Sequence, residues 1–216
     1  MLAGAAEKSS PAPPPLSPPP AAWQSERGNG LRRSGPMTVH IALLRAVNVG
    51  GHGKVAMAEL RDLFAGLGLA DARTLLQTGN VVFRGDGRSG GALEAAIGRA
   101  VADRFGLRTE VFVRSAAQWA RIVAANPFRA EAAQDPSRLV LMTLGNTPGR
   151  PALDALRASI AGRERIHAQG AQLYISYPDG IGRSKLTGAI VESRLDTCGT
   201  GRNWNTVLKL AALAGS

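Results

Sequence analysis

The residues with the most chemical potential sit in glycine-rich stretches that mix cations with amides or hydroxyls. The stretch LLRAVNVGGHGK (43–54) sets Arg45, Asn48 and Lys54 around Gly50, Gly51 and Gly53. Glycines let consecutive backbone N–H groups turn toward one point and form a nest for an anion. GRSKLTGAIVE (182–192) brings Arg183, Ser184, Lys185 and Thr187 to the start of an apolar periodic run. A hydroxyl beside two cations suits a phosphoryl group. GTGRNWNTVLKL (199–210) leads through Arg202, Asn203 and Asn205 into a last helix. The unpaired N–H groups and dipole of a helix start favour an anion there. Each stretch also has a purely structural reading. Arg45 can pair with an acid such as Glu59 or Glu192, Asn203 or Asn205 can act as an N-cap, and the 182–187 segment can be a solvated helix start. Sequence alone leaves both readings open.

Other chemistries find less support. The first stretch is not a phosphate-binding P-loop, because Asn48 stands where the first glycine belongs and Val55 replaces the magnesium-binding Ser or Thr. His40, His52 and His167 show no metal-ligand spacing; His52, within the glycine loop, is a candidate acid/base group. Cys198 precedes a turn near a helix start, a setting that lowers a thiol pKa. Glu192 is the one carboxylate in these stretches, which argues against paired-carboxylate or two-metal chemistry. RNA recognition of the RRM type needs aromatics on central strands, and Phe83 alone in Asn80–Arg84 is no stacking platform.

The elements that must position these residues alternate between strand and helix. Val39–Val47 reads as a strand buried on both faces, with Arg45 inside it. Leu60, Leu63, Phe64 and Leu67 form one helical stripe, closed by Gly68. A hairpin turns at Thr78-Gly79-Asn80, a second helix carries Leu93, Ile97, Val101 and Phe105, and Thr109–Arg114 is a strand. This is the β-α-β-β-α-β order of ferredoxin-like folds. The second part begins with a helix capped by Ser115 and Gln118. It continues with a strand at 139–144, a helix after Pro151, a hairpin over Gln169-Gly170 and a helix carrying Leu186, Ile190, Val191 and Leu195. Its expected end is a helix in place of a final strand. The fold class is therefore α+β, with duplicated ferredoxin-like (βαββαβ-type) halves over 37–114 and 115–216, antiparallel sheets and a C-terminal helix. No residue-level repeat accompanies the duplication.

Those three stretches, with LQTGNVVF (76–83), resemble the bacterial domain-of-unknown-function family 1697 across essentially all of 37–216. The opening strand-loop and RNWNT are the most specific parts. The resemblance implies a duplicated ferredoxin-like α+β fold and no established activity.

Composition bounds the partners. The chain has 216 residues and a formal net charge of +10; four of its 26 basic residues are lysines and the rest arginines. A basic balance favours anionic partners without choosing among them. One cysteine excludes an intrachain disulfide and fits a cytoplasmic setting. No apolar run approaches membrane-spanning length. Residues 1–36 hold eight of the thirteen prolines, including PAPPPLSPPP, and read as a disordered tail, with Met37 a candidate translation start. The expected function is binding of a phosphorylated or nucleotide-like anionic small molecule through Arg45, Asn48, Gly50, Gly51, Lys54, Arg183, Ser184, Lys185, Arg202, Asn203 and Asn205. A metal-independent enzyme on such a ligand, or a nucleic-acid binder using the basic surface, are the alternatives. No cofactor is implied, and oligomeric state is left open.

Overall fold

The computed structural model describes residues 37–49, 54–85 and 87–216. The Pro-rich segment 1–36 and the loop residues Gly50, Gly51, His52 and Gly53 lie outside the described residues. The described residues belong to one compact unit.

The first sheet comprises β1 (Thr38–Leu44), β2 (Ala70–Leu75), β3 (Asn80–Gly85) and β4 (Val111–Ser115), in the order β2-β3-β1-β4. The second comprises β5 (Leu139–Leu144), β6 (Arg165–Gln169), β7 (Gln172–Ser176) and β8 (Gly199–Asn203), in the order β6-β7-β5-β8. All pairings are antiparallel. Helices α1 (Met57–Gly66) and α2 (Gly90–Phe105) belong to the first half; α5 (Arg150–Ala158) and α6 (Gly188–Leu195) occupy the same places in the second. Between the halves lie α3 (Ala116–Ala124) and the short α4 (Arg129–Gln134), and α7 (Trp204–Ala214) closes the chain.

Two sequence expectations need correction. The second half does end in a strand: β8 pairs with β5 from Val140↔Asn203 to Leu144↔Gly199. Gly-Thr-Gly-Arg-Asn lacks apolar alternation, so it reads as a turn. Gly199 is instead required by packing, since a Cβ there would meet Met142 Cε at 2.7 Å and Leu144 Cδ2 at 3.0 Å. The first strand, in turn, stops at Leu44; Arg45–Asn48 form a turn, with Ala46 and Asn48 both at φ 55°. Arg45 is thus at a strand end, with its side chain 42% exposed, rather than buried within a strand.

The duplication extends to single hydrogen bonds. Leu44 N–H donates to Gly79 O at 2.8 Å and Leu144 N–H to Ala171 O at 2.9 Å; Arg45 N–H donates to Glu110 O and Gly145 N–H to Cys198 O, both at 2.9 Å. It also includes the helix after each last strand. Ser115 caps α3 with the full reciprocal box to Gln118, and Asn203 caps α7 by accepting from Thr206 N–H at 3.0 Å.

Strand alternation divides the core. One face of the first sheet packs on α1 and α2 through Leu44, Phe64, Phe83, Ile97 and their neighbours. One face of the second packs on α5 and α6 through Met142, Leu156, Leu173 and Val191. The remaining faces share a third cluster with α3 and α7, in which Ile41, Leu43 and Phe112 meet Leu141, Tyr174, Trp119 and Val207. Trp119 Nε1 donates to Val207 O at 3.1 Å, so the buried indole N–H is satisfied and the two helices are joined.

Candidate functional site

The motif residues come together in part, and mostly on one another. Asn48 clamps its own loop. Its Nδ2 donates to Val55 O at 2.9 Å and Gln77 O at 2.8 Å, while its Oδ1 accepts from Val55 N–H at 2.8 Å. The next residue along the 76–80 turn is held from the other half. Arg202, on β8, donates to Thr78 O at 3.1 Å and Leu44 O at 3.0 Å through Nη2, and to Asn80 Oδ1 at 2.5 Å through Nε. Its Nη1 donates to Thr200 Oγ1 at 2.7 Å and Gly201 O at 2.8 Å. All five guanidinium N–H groups therefore have protein acceptors, none of them a carboxylate, and none is left for a ligand. Desolvation lowers the Arg202 pKa to about 10, which still leaves it cationic at neutral pH. The turn it holds is close-packed: Gly79 sits at φ +71°, and a Cβ there would lie 2.8 Å from Leu44 Cβ.

Arg45 makes a second link between the halves. Its Nε and Nη2 donate to the two oxygens of Glu192 at 3.1 and 2.8 Å, a two-pronged ion pair. Glu192 also accepts from Gly199 N–H at 2.8 Å. Cys198 is next to this pair. Burial, followed by the charges of Glu110 and Glu192, pushes its thiol pKa up, the reverse of the lowering expected near a helix start.

The remaining predicted ligand residues are elsewhere or uncommitted. Ser184 donates to Glu164 Oε1 and accepts from Leu186 N–H at 2.9 Å, so its hydroxyl serves the approach to α6, whose N-cap is Thr187. Arg183 and Lys185 are exposed; the Asp179 carboxyl pKa is lowered chiefly by its hydrogen bond from Arg163, with the charge of Arg183 a minor addition. Lys54 and Asn205 are exposed, and Asn203 is used as the α7 cap.

Around Arg45 there is open space. A cleft of about 350 Å³ is lined by Arg45, Gly98, Arg99, Arg108, Thr109 and Glu110. Arg99 lies on α2 and Arg108 on the segment leading to β4; both are exposed and have no hydrogen-bond or ion-pair partner among the described residues. Sequence reasoning missed both. A lone arginine on the outer face of a helix carries no local signal, and they join Arg45 only because the Arg45 N–H pairs with Glu110 O. Among the described residues no group of His, Cys, Asp and Glu could hold a metal ion, and no helix is long and apolar enough to cross a membrane.

Two four-stranded antiparallel sheets of the same strand order, each with its own helix pair, define a duplicated ferredoxin-like α+β protein. The chain belongs to the protein-of-unknown-function family DUF1697, whose model matches residues 37–174. Among solved structures it is similar to that of the conserved bacterial protein SP0830 from Streptococcus pneumoniae, at 21% sequence identity and a TM-score of 0.63. That likeness covers 82% of this chain and 99% of the other, and concerns the fold. No curated protein matches the chain.

Proposed function

We propose that the protein binds a phosphorylated or nucleotide-like anionic small molecule in the cleft beside Arg45. The supporting observation is the charge around that cleft: among the described residues, three guanidiniums, from Arg45, Arg99 and Arg108, meet one lining carboxylate, Glu110. Two of the three are unpaired among the described residues, and Arg45, held by Glu192 through Nε and Nη2, keeps Nη1 free. Like charges gathered around one concavity repel each other, and an oxyanion relieves that repulsion while matching the guanidinium fork. The volume falls within the range of small-molecule sites.

Titration calorimetry of the full chain at low ionic strength, with AMP and inorganic phosphate as probes, tests this reading. Saturable binding that weakens as salt rises is expected, because the cations are exposed. No heat with either probe contradicts the proposal. Tighter binding of a single-stranded oligonucleotide than of AMP, with a steep salt slope, replaces it with a nucleic-acid partner.

A further inference from the structure

We propose a second ligand site, in the cleft between α3 and the β6–β7 hairpin, that takes a small molecule bearing a phosphoryl or carboxylate group. This cleft, of about 370 Å³, is separate from the one beside Arg45 and shares none of its lining residues. Gln118, Arg121, Ile122 and Ala125 form one wall. Their spacing of three, four and seven puts them on one stripe of α3 and its C-cap, beside the stripe of Trp119 and Val123 that faces the core. Gln169 and Gln172 form the opposite wall, directly paired across β6 and β7. Arg114, on β4, closes one end.

The hydrogen-bonding state of these side chains narrows the ligand. Gln172 is 7% exposed, and its Oε1 accepts from Thr143 Oγ1 at 3.1 Å on the neighbouring strand. Its Nε2 has no partner among the described residues and is the donor the cleft receives. That nitrogen is open to the cleft and can donate directly to an acceptor bound there. Gln118 is used in the same way: its Oε1 accepts from Ser115 N–H at 2.8 Å in the capping box, leaving Nε2 free. Arg114 spends Nη1 on Glu94 and Val113 O, leaving Nε and Nη2. Arg121 is exposed and has no partner among the described residues. Among the described residues no carboxylate lines the cleft. Apart from the amide oxygen of Gln169, the free side-chain polar atoms of the lining are donors, two sets of them cationic. Only a ligand rich in acceptors and negatively charged satisfies them, and phosphoryl and carboxylate oxygens share that chemistry.

Nitrogen-15-edited NMR of the full chain, titrated separately with AMP, inorganic phosphate and citrate, tests the assignment. Shifts are expected at the side-chain amides of Gln118 and Gln172 and at Arg121 Nε with at least one probe. Preference for AMP or phosphate over citrate assigns the phosphoryl source, and the reverse preference the carboxylate. Arg121→Ala, at an exposed position that leaves folding intact, should weaken that binding about tenfold, and Gln172→Leu should weaken it independently. Three silent titrations overturn the proposal, as do shifts unaffected by Arg121→Ala. Shifts confined to Arg99 and Arg108 overturn it while leaving the function proposed for the Arg45 cleft standing.

Discussion

Arg202 on β8 donates from Nε to the side-chain oxygen of Asn80 at 2.5 Å, although 122 residues separate them. Asn80 in turn donates to Leu75 O and Thr78 Oγ1, both at 3.0 Å, so one guanidinium and one amide fix the β2–β3 turn against the second half. Arg202→Leu leaves the acceptors Leu44 O, Thr78 O and Asn80 Oδ1 without their donor. Each buried acceptor left unsatisfied costs about 1–3 kcal/mol, so a loss of at least about 3 kcal/mol is expected in urea denaturation. A loss under about 0.5 kcal/mol contradicts the role given to Arg202.

Gly79 is the glycine on which this turn depends. Ala at 79 meets both a positive φ and Leu44 Cβ at 2.8 Å, whereas Ala at 106 meets the positive φ alone, with nothing within 4 Å. Gly79→Ala should therefore lower thermal stability clearly more than Gly106→Ala, which should cost about 1 kcal/mol. Equal melting temperatures for the two variants would show that the close packing of the turn is not needed.

His40 predicts a pH dependence. It is buried against Phe83, with ring centroids 5.5 Å apart, and both ring nitrogens are buried without a partner among the described residues. Burial lowers its pKa below the ordinary histidine value. The unfolded chain therefore takes up the proton first as pH falls, and binds more protons than the folded chain between the folded-state pKa and about 6.5. The contribution of His40 to stability is complete above about pH 6.5 and declines below it. Denaturation of the wild type and His40→Phe between pH 7.5 and 5 checks this. The wild type should lose more stability on acidification, and parallel curves would refute the assignment.

Local signals made part of this molecule legible. The Ser115–Gln118 capping box and the stripe of Leu60, Leu63 and Phe64 are set by residues three or four apart and appear where the sequence places them; of the two asparagines the sequence offered as the α7 cap, Asn203 is the one used. The pairing of Arg45 with Glu192 was one of two partners the sequence suggested for that arginine. Strand β8 was not legible, because Gly199–Asn203 is made a strand by β5 and by the space beneath Met142 and Leu144, not by its own pattern. Helix α4 buries no residue and so leaves no apolar stripe to read. The commitment of Arg202 was hidden for a similar reason: Leu44, Thr78 and Asn80 are all more than 120 positions away in the chain. Arg99 and Arg108 gain meaning only from the cleft they share with Arg45.

Arg45 offers a way to separate holding the fold from holding a ligand. Glu192→Gln keeps a similar shape and, with the amide oxygen at the Oε1 position, one acceptor shared by Gly199 N–H and Arg45 Nε, but it removes the charge and the acceptor of Arg45 Nη2. Because both partners are partly exposed, the loss of stability should be about 1 kcal/mol or less. Arg45, freed from its carboxylate, should then bind AMP more tightly than in the wild type. Unchanged AMP binding by Glu192→Gln would place the ligand away from Arg45.

The most direct measurement is AMP binding by the double variant Arg99→Ala/Arg108→Ala, followed by calorimetry and by the shift in melting temperature at low salt. Both side chains are exposed and unpaired among the described residues, so the ligand-free variant should melt as the wild type does. A ligand that binds only the folded state raises the melting temperature, and that rise should be clearly smaller in the double variant than in the wild type, any remainder coming from the cleft beside α3. An equal rise in the two proteins would contradict an anion site beside Arg45.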